Sequence, residues 1–160
     1  MRRSSRTAGA MALLAVLSPS LGARAAAGPP QVRQQEDQPA TTVSPGVVLR
    51  ELIGRGASAA DPRSRLLSVA WFRLEPGRSS AWSHNKRGEE AFLVLAGHGT
   101  VWIDSQAQAI GPGSYVLVQP AAVRSVRADR GEAVTFYAIT APAWSRSDDV
   151  LVQPPPGAGR

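Results

Sequence analysis

The 160-residue chain contains no cysteine. Disulfides, thiolate metal sites and cysteine nucleophiles are therefore excluded, and an oxidising compartment would do the fold no harm. Histidine is nearly as scarce: His84 and His98 are the only two, so one chain cannot assemble a site of three imidazoles. Lysine occurs once, as Lys86, against seventeen arginines, which reads as the codon bias of a GC-rich bacterium and carries no chemical weight. Long apolar runs are also missing. The best, AMALLAVL at residues 10–17, is too short to span a bilayer.

Acidic residues are absent before Glu36, and that absence explains the net charge of +6. Arg2, Arg3, Arg6 and Arg24 all precede residue 28; without residues 1–27 the chain has 14 basic and 12 acidic residues. No basic stripe or interleaved aromatics remain, so nucleic acid is not an expected partner. The first 27 residues read as a secretory signal peptide: a positive n-region (MRRSSRTAG), the apolar h-region, and small-residue cleavage sites after Ala25 or Ala27. An amphipathic first helix fits less well, because the stretch is apolar on every side. Arg2–Arg3 hints at twin-arginine export, but Ser4 and Ser5 stand where an apolar pair is usual. The expectation is a bacterial protein exported to the periplasm or beyond, with no stable membrane anchor after signal cleavage.

What is present is a β-rich middle. Residues 28–45 hold four prolines and four glutamines without apolar periodicity, which predicts a flexible linker; QPPPGAGR, residues 153–160, predicts a disordered tail. The folded unit is thus expected over residues 46–152. Within it, residues 47–52, 66–74, 90–96, 100–104, 115–119, 123–128 and 133–140 are rich in β-branched and aromatic residues, and turn-forming segments separate them. No window sustains a helical period. The pattern predicts an all-β, antiparallel sandwich or barrel, and an immunoglobulin-like sandwich satisfies it equally.

Spacing separates these alternatives. From Gly77 the chain runs five residues to Ser83, one to Asn85, four to Glu90 and six to Gly97. This resembles the first cupin motif, G-x5-H-x-H-x4-E-x6-G, with both histidines replaced. Fifteen residues later the second motif, G-x5-P-x-G-x2-H-x3-N, can be laid on Gly113, placing Gln119 at the proline, Ala121 at the glycine, Arg124 at the histidine and Ala128 at the asparagine. The resemblance covers about residues 66–140 and implies a jelly-roll β-barrel. In the family, alternate residues of a strand aim two imidazoles into the barrel, where a carboxylate and a third imidazole complete a metal site. The same alternation predicts Ser83, Asn85, Glu90 and Arg124 facing inward here and His84 facing away.

A hydroxyl and an amide are weak ligands for a transition metal, and a guanidinium stays cationic. No cofactor is therefore expected; the alternative is Mn, Fe, Ni or Zn on a His84/Glu90 remnant turned inward by a β-bulge. His98 sits in a hairpin turn and reads as a solvated polar residue.

Three functions follow. In the first, the barrel binds a small, anionic molecule through Arg124, with hydrogen bonds from Ser83, Asn85 and Glu90 and walls from Trp71, Trp82, Phe92 or Trp102. The second is a cupin enzyme, metal-dependent or using Glu90 as a metal-free acid–base catalyst with Arg124 stabilising an oxyanion. The third is a structural barrel in which Glu90 and Arg124 form a buried ion pair. The resemblance also implies a homodimer, for which the early strand VVLREL offers a pairing edge.

Overall fold

Alternation of apolar and polar residues builds strands almost throughout residues 32–56 and 63–158, which the computed structural model describes. The strands are β1 (Thr41–Ser44), β2 (Val47–Ile53), β3 (Ser68–Leu74), β4 (Ser83–Asn85), β5 (Glu89–Ala96), β6 (Gly99–Ile103), β7 (Gln106–Ile110), β8 (Tyr115–Val118), β9 (Arg124–Ala128), β10 (Val134–Ala141) and β11 (Asp149–Leu151). They form a six-stranded sheet, β1-β2-β3-β10-β5-β8, and a five-stranded sheet, β11-β4-β9-β6-β7. The ladders within both sheets are antiparallel. The inner faces share a core of Val47, Leu74, Val94, Val101, Val118, Val126, Val134 and Phe136. This is a jelly roll, as the resemblance implied.

Each of the seven expected strands is present within about two residues of its expected limits. Four more are not evident in composition. β4 and β11 have only three residues each, and β7, QAQAI, has one β-branched residue. β1 corrects the flexible linker expected over residues 28–45: Thr41, Thr42 and Ser44 pair with Leu49, Val48 and Val47 of β2. Pro39 and Pro45 flank it, and an edge strand tolerates prolines at its ends. Residues just upstream are tied down as well. A 3-10 turn spans Gln35–Asp37, Tyr137 Oη donates to Gln35 Oε1 at 2.9 Å, and an Arg50 guanidinium nitrogen donates to the Gln38 carbonyl. The signal peptide expected over residues 1–27 lies outside the described residues. VVLREL is not the edge strand of its sheet: β3 pairs with β2 along its length and β1 covers Val47, Val48 and Leu49 on the other side.

The motif positions carry the backbone geometry that their glycines imply. Gly97 has φ 76°, and a Cβ there would lie 1.9 Å from the Ala133 carbonyl oxygen, so only glycine fits. Ala121, which stands at the glycine of the second motif, also adopts a left-handed φ of 67°. The turn keeps the family's shape although the residue departs from it.

Candidate functional site

One end of the barrel interior is polar, and three strand faces create it. β4 turns Ser83 and Asn85 inward, at 8% and 4% exposure, because they are two residues apart. β9 carries Arg124 opposite Ser83, and β5 in the facing sheet carries Glu90 opposite Thr140 of β10. Glu90 and Arg124 are 6% and 7% exposed. The four residues anticipated from spacing are thus brought together, with the guanidinium at their centre. Arg124 Nε donates to Glu90 Oε2 at 2.5 Å, one terminal nitrogen donates to Ser83 Oγ at 2.5 Å, and the other donates to Asn85 Oδ1 at 3.5 Å.

Two members were missed. Thr140 Oγ1 donates to Glu90 Oε1 at 3.4 Å, and Asp149 Oδ1 accepts from Arg124 at 3.2 Å. Thr140 was accessible to reasoning, since alternation along β10 puts it on one face with Phe136 and Ala138. Asp149 carries no comparable signal: β11 is three residues long, and pairing with β4, Asp149 against Asn85, is what delivers its carboxylate. Burial by itself would lower the Arg124 pKa. The charge and hydrogen bond of Glu90, then those of Asp149, more than reverse that, so the net shift is upward and the cation is fixed.

The polar cluster closes one end of a cavity of about 470 Å³ whose other walls include Val47, Leu49, Phe72, Phe92, Val126, Phe136 and Ala138. Phe72 stacks on Phe136 with centroids 5.2 Å apart, and Phe92 meets Phe136 edge-on at the same separation. Thr41 and Val43 of β1, Asp149 and Leu151 of β11, and Trp144 and Arg146 of the segment before β11 also line it, and the exposed residues among them mark its mouth. The cavity is therefore bordered by an edge strand of each sheet. Val43, Trp144 and Leu151 are all exposed there.

Other anticipated residues are placed differently. Phe92 lines the cavity, but Trp82 and Trp102 do not. They sit next to inward-facing Ser83 and Val101, so the strand pleat turns them to the other face. There the two indoles lie 5.8 Å apart, and the Arg127 guanidinium lies 4.8 Å from the Trp102 ring centroid. Trp71 likewise alternates with Ala70 and Phe72, which line the cavity. His84 faces away from the cavity, paired with Val150, and its Nδ1 is buried without a hydrogen-bond partner. No bulge turns it toward Glu90. His98 Nδ1 and Glu132 Oε1 are 2.7 Å apart on the surface.

The donor set does not fit the metal that the fold commonly holds. All three imidazole positions converge, but they supply a hydroxyl, an amide and a guanidinium that hydrogen-bonds the remaining carboxylate. A cation would have to displace Arg124 from Glu90 and then sit beside a fixed positive charge. Among the described residues no group of three or more His, Asp or Glu is placed to hold a metal.

The Cupin domain family profile matches residues 70–140, from β3 to β10. Those residues thus match the cupin domain. Solved structures agree on the architecture. A conserved protein with a double-stranded β-helix domain from Klebsiella pneumoniae is 12% identical at a TM-score of 0.62, over 78% of this chain and 99% of that one. An RmlC-like cupin from Shewanella frigidimarina is 15% identical at 0.58, over 72% and 93%. Pac13, a nucleoside dehydratase, is 18% identical at 0.60, over 78% and 92%; a variant of it from Streptomyces has been solved with uridine. At such identities the likeness is one of fold. No curated protein matches the sequence.

Proposed function

We propose that this chain is an exported cupin that binds a small organic molecule in its barrel without a metal, with the polar end of the ligand docked on the Arg124 cluster. One observation carries the reading: Arg124, which stands at the histidine of the second motif, hydrogen-bonds Glu90, Ser83 and Asn85, while about 470 Å³ beside it stays open between phenylalanine walls. Protein interiors are close-packed, so an ion pair with only a structural task gives no reason for such a space. Acid–base catalysis by Glu90 gains no support from this geometry. Both carboxylate oxygens already accept hydrogen bonds, from Arg124 and Thr140. Export rests on the N-terminal charge and hydropathy pattern, and the absence of cysteine is compatible with it.

The neutral fluorophore N-phenyl-1-naphthylamine tests the pocket. It is expected to bind at one equivalent per chain, to lose at least tenfold in affinity when Ala138→Phe fills the cavity, and to be indifferent to EDTA. Absence of uptake, or uptake untouched by Ala138→Phe, would overturn the reading. So would one-to-one binding of Mn, Fe, Ni or Zn that Glu90→Gln abolishes.

A further inference from the structure

The polar end of the cavity has the opposite electrostatic character from the one Arg124 suggests in isolation. The guanidinium faces two carboxylates, Glu90 at 2.5 Å and Asp149 at 3.2 Å. Those two acids against one base leave the cluster formally negative. The donors of Arg124 are also largely spent: Nε on Glu90, one terminal nitrogen on Ser83 and Asp149, the other directed at Asn85. An arriving anion would find little of the guanidinium free and would meet Asp149 on its way.

The two carboxylates are not equivalent. Glu90 is enclosed, with a side-chain exposure of 7%, and both of its oxygens accept hydrogen bonds. Asp149 has a side-chain exposure of 20% and lines the cavity, and only its Oδ1 accepts a hydrogen bond among the described residues. Its second oxygen is thus the unspent acceptor at the polar end. The other charged residues lining the cavity are Glu51 and Arg146, of opposite sign, and both are exposed. They offset each other formally and are more open to solvent than Asp149.

On the reading that the cavity binds a small molecule, we propose that its ligand is a primary amine with an aromatic or branched apolar body, and that Asp149 determines this specificity. The ammonium donates to the free oxygen of Asp149, beside the Ser83 hydroxyl, and the apolar body lies against Phe72, Phe92 and Phe136. Unlike a metal ion, which would need Glu90, an ammonium at Asp149 leaves the Arg124–Glu90 pair in place, and the second carboxylate offsets the guanidinium beside it. The ammonium brings donors to an acceptor that has none among the described residues, and it supplies the charge that the pair of carboxylates lacks. The aromatic walls add an environment that tolerates a cation.

Three probes with one body and different heads decide the matter: 2-phenylethylamine, 2-phenylethanol and 3-phenylpropionate, titrated calorimetrically into the full chain at low salt. The amine is expected to bind at least tenfold more tightly than the alcohol, with the carboxylate weakest. Asp149→Asn, which preserves shape, is expected to remove the amine's advantage while changing the alcohol less than threefold. If circular dichroism shows that Asp149→Asn has disturbed the fold, the order of the three probes on the unsubstituted chain decides alone. Tightest binding by the carboxylate, or undiminished amine binding in a folded Asp149→Asn, would overturn the proposal. If none of the three binds while N-phenyl-1-naphthylamine still occupies the cavity, the amine specificity falls and the binding function stands; if the fluorophore fails too, both fall.

Discussion

At the residue scale, Arg124 matters because of what its removal would leave behind. A buried ion pair contributes little net stability when compared with an apolar pair of similar volume, but losing one partner strands a charge away from water. Arg124→Leu should therefore cost about 3–5 kcal/mol, because Glu90 would be left buried with only Thr140 as a partner. The double variant Arg124→Leu/Glu90→Leu should recover most of that loss, since Asp149 is more exposed and can be hydrated. Urea unfolding of both variants and of Glu90→Leu checks this. A neutral Arg124→Leu would show that the pair is not coupled as the distances indicate. Period two was enough to anticipate that Ser83, Asn85, Glu90 and Arg124 converge. The same rule, applied to the neighbour of Ser83, would have turned Trp82 outward as well. The second carboxylate partner of Arg124 was not legible in the same way, because Asp149 comes from a strand outside both motifs.

At the element scale, three-residue β11 is too short to hold itself in place, and Asp148 supplies the missing constraint. Its Oδ2 accepts from the Gly88 amide at 3.0 Å and its Oδ1 from Arg87 Nε at 3.3 Å. The Lys86 amide donates to the Asp148 carbonyl at 2.9 Å, and Lys86 Nζ donates to the Ser147 carbonyl at 3.0 Å. The turn after β4 thus grips the approach to β11 and, through it, sets Asp149 against Asn85. Burial raises the Asp148 pKa, but the Gly88 amide and Arg87 outweigh it and the net shift is below the usual 3.8. A depressed folded-state pKa means that the stabilisation is complete well above 3.8 and is lost as pH falls through that value and below. Asp148→Asn should cost about 1–3 kcal/mol near pH 7. The gap between the two chains should narrow as pH drops from about 5 to 3. Denaturant titrations across that range provide the check, and a gap independent of pH would rule out the carboxylate as the source. None of this was legible in SDDVLVQ, where the two adjacent acids look like solvated surface. β7 escaped notice for a related reason, since pairing with β6, rather than the propensity of QAQAI, makes it a strand.

At the scale of the whole molecule, the extent of the folded unit is a matter of energetics rather than composition. Proline and glutamine made residues 28–45 resemble a linker, yet Gln35, Gln38 and β1 are tied to the six-stranded sheet, although most residues of the described part stay exposed. Tyr137 and Arg50 grip Gln35 and Gln38, and β1 then covers the edge of β2 and contributes Thr41 and Val43 to the cavity mouth. Composition could not reveal this, because the stabilisation comes from partners on β2 and β10, distant in sequence. A chain beginning at residue 32 should therefore be more stable than one beginning at residue 46. Several backbone hydrogen bonds and the side-chain ties of Gln35 and Gln38, less the entropy of ordering the segment, give a difference on the order of 1 kcal/mol. The shorter chain should also release N-phenyl-1-naphthylamine faster, since one wall of the mouth is gone while the Arg124 cluster and the phenylalanines remain. Urea midpoints and stopped-flow dissociation of the fluorophore test the two effects separately. Equal midpoints with equal dissociation rates would mean that β1 is an ornament of the edge. Unequal stability with unchanged dissociation would mean that the ligand enters elsewhere than past β1.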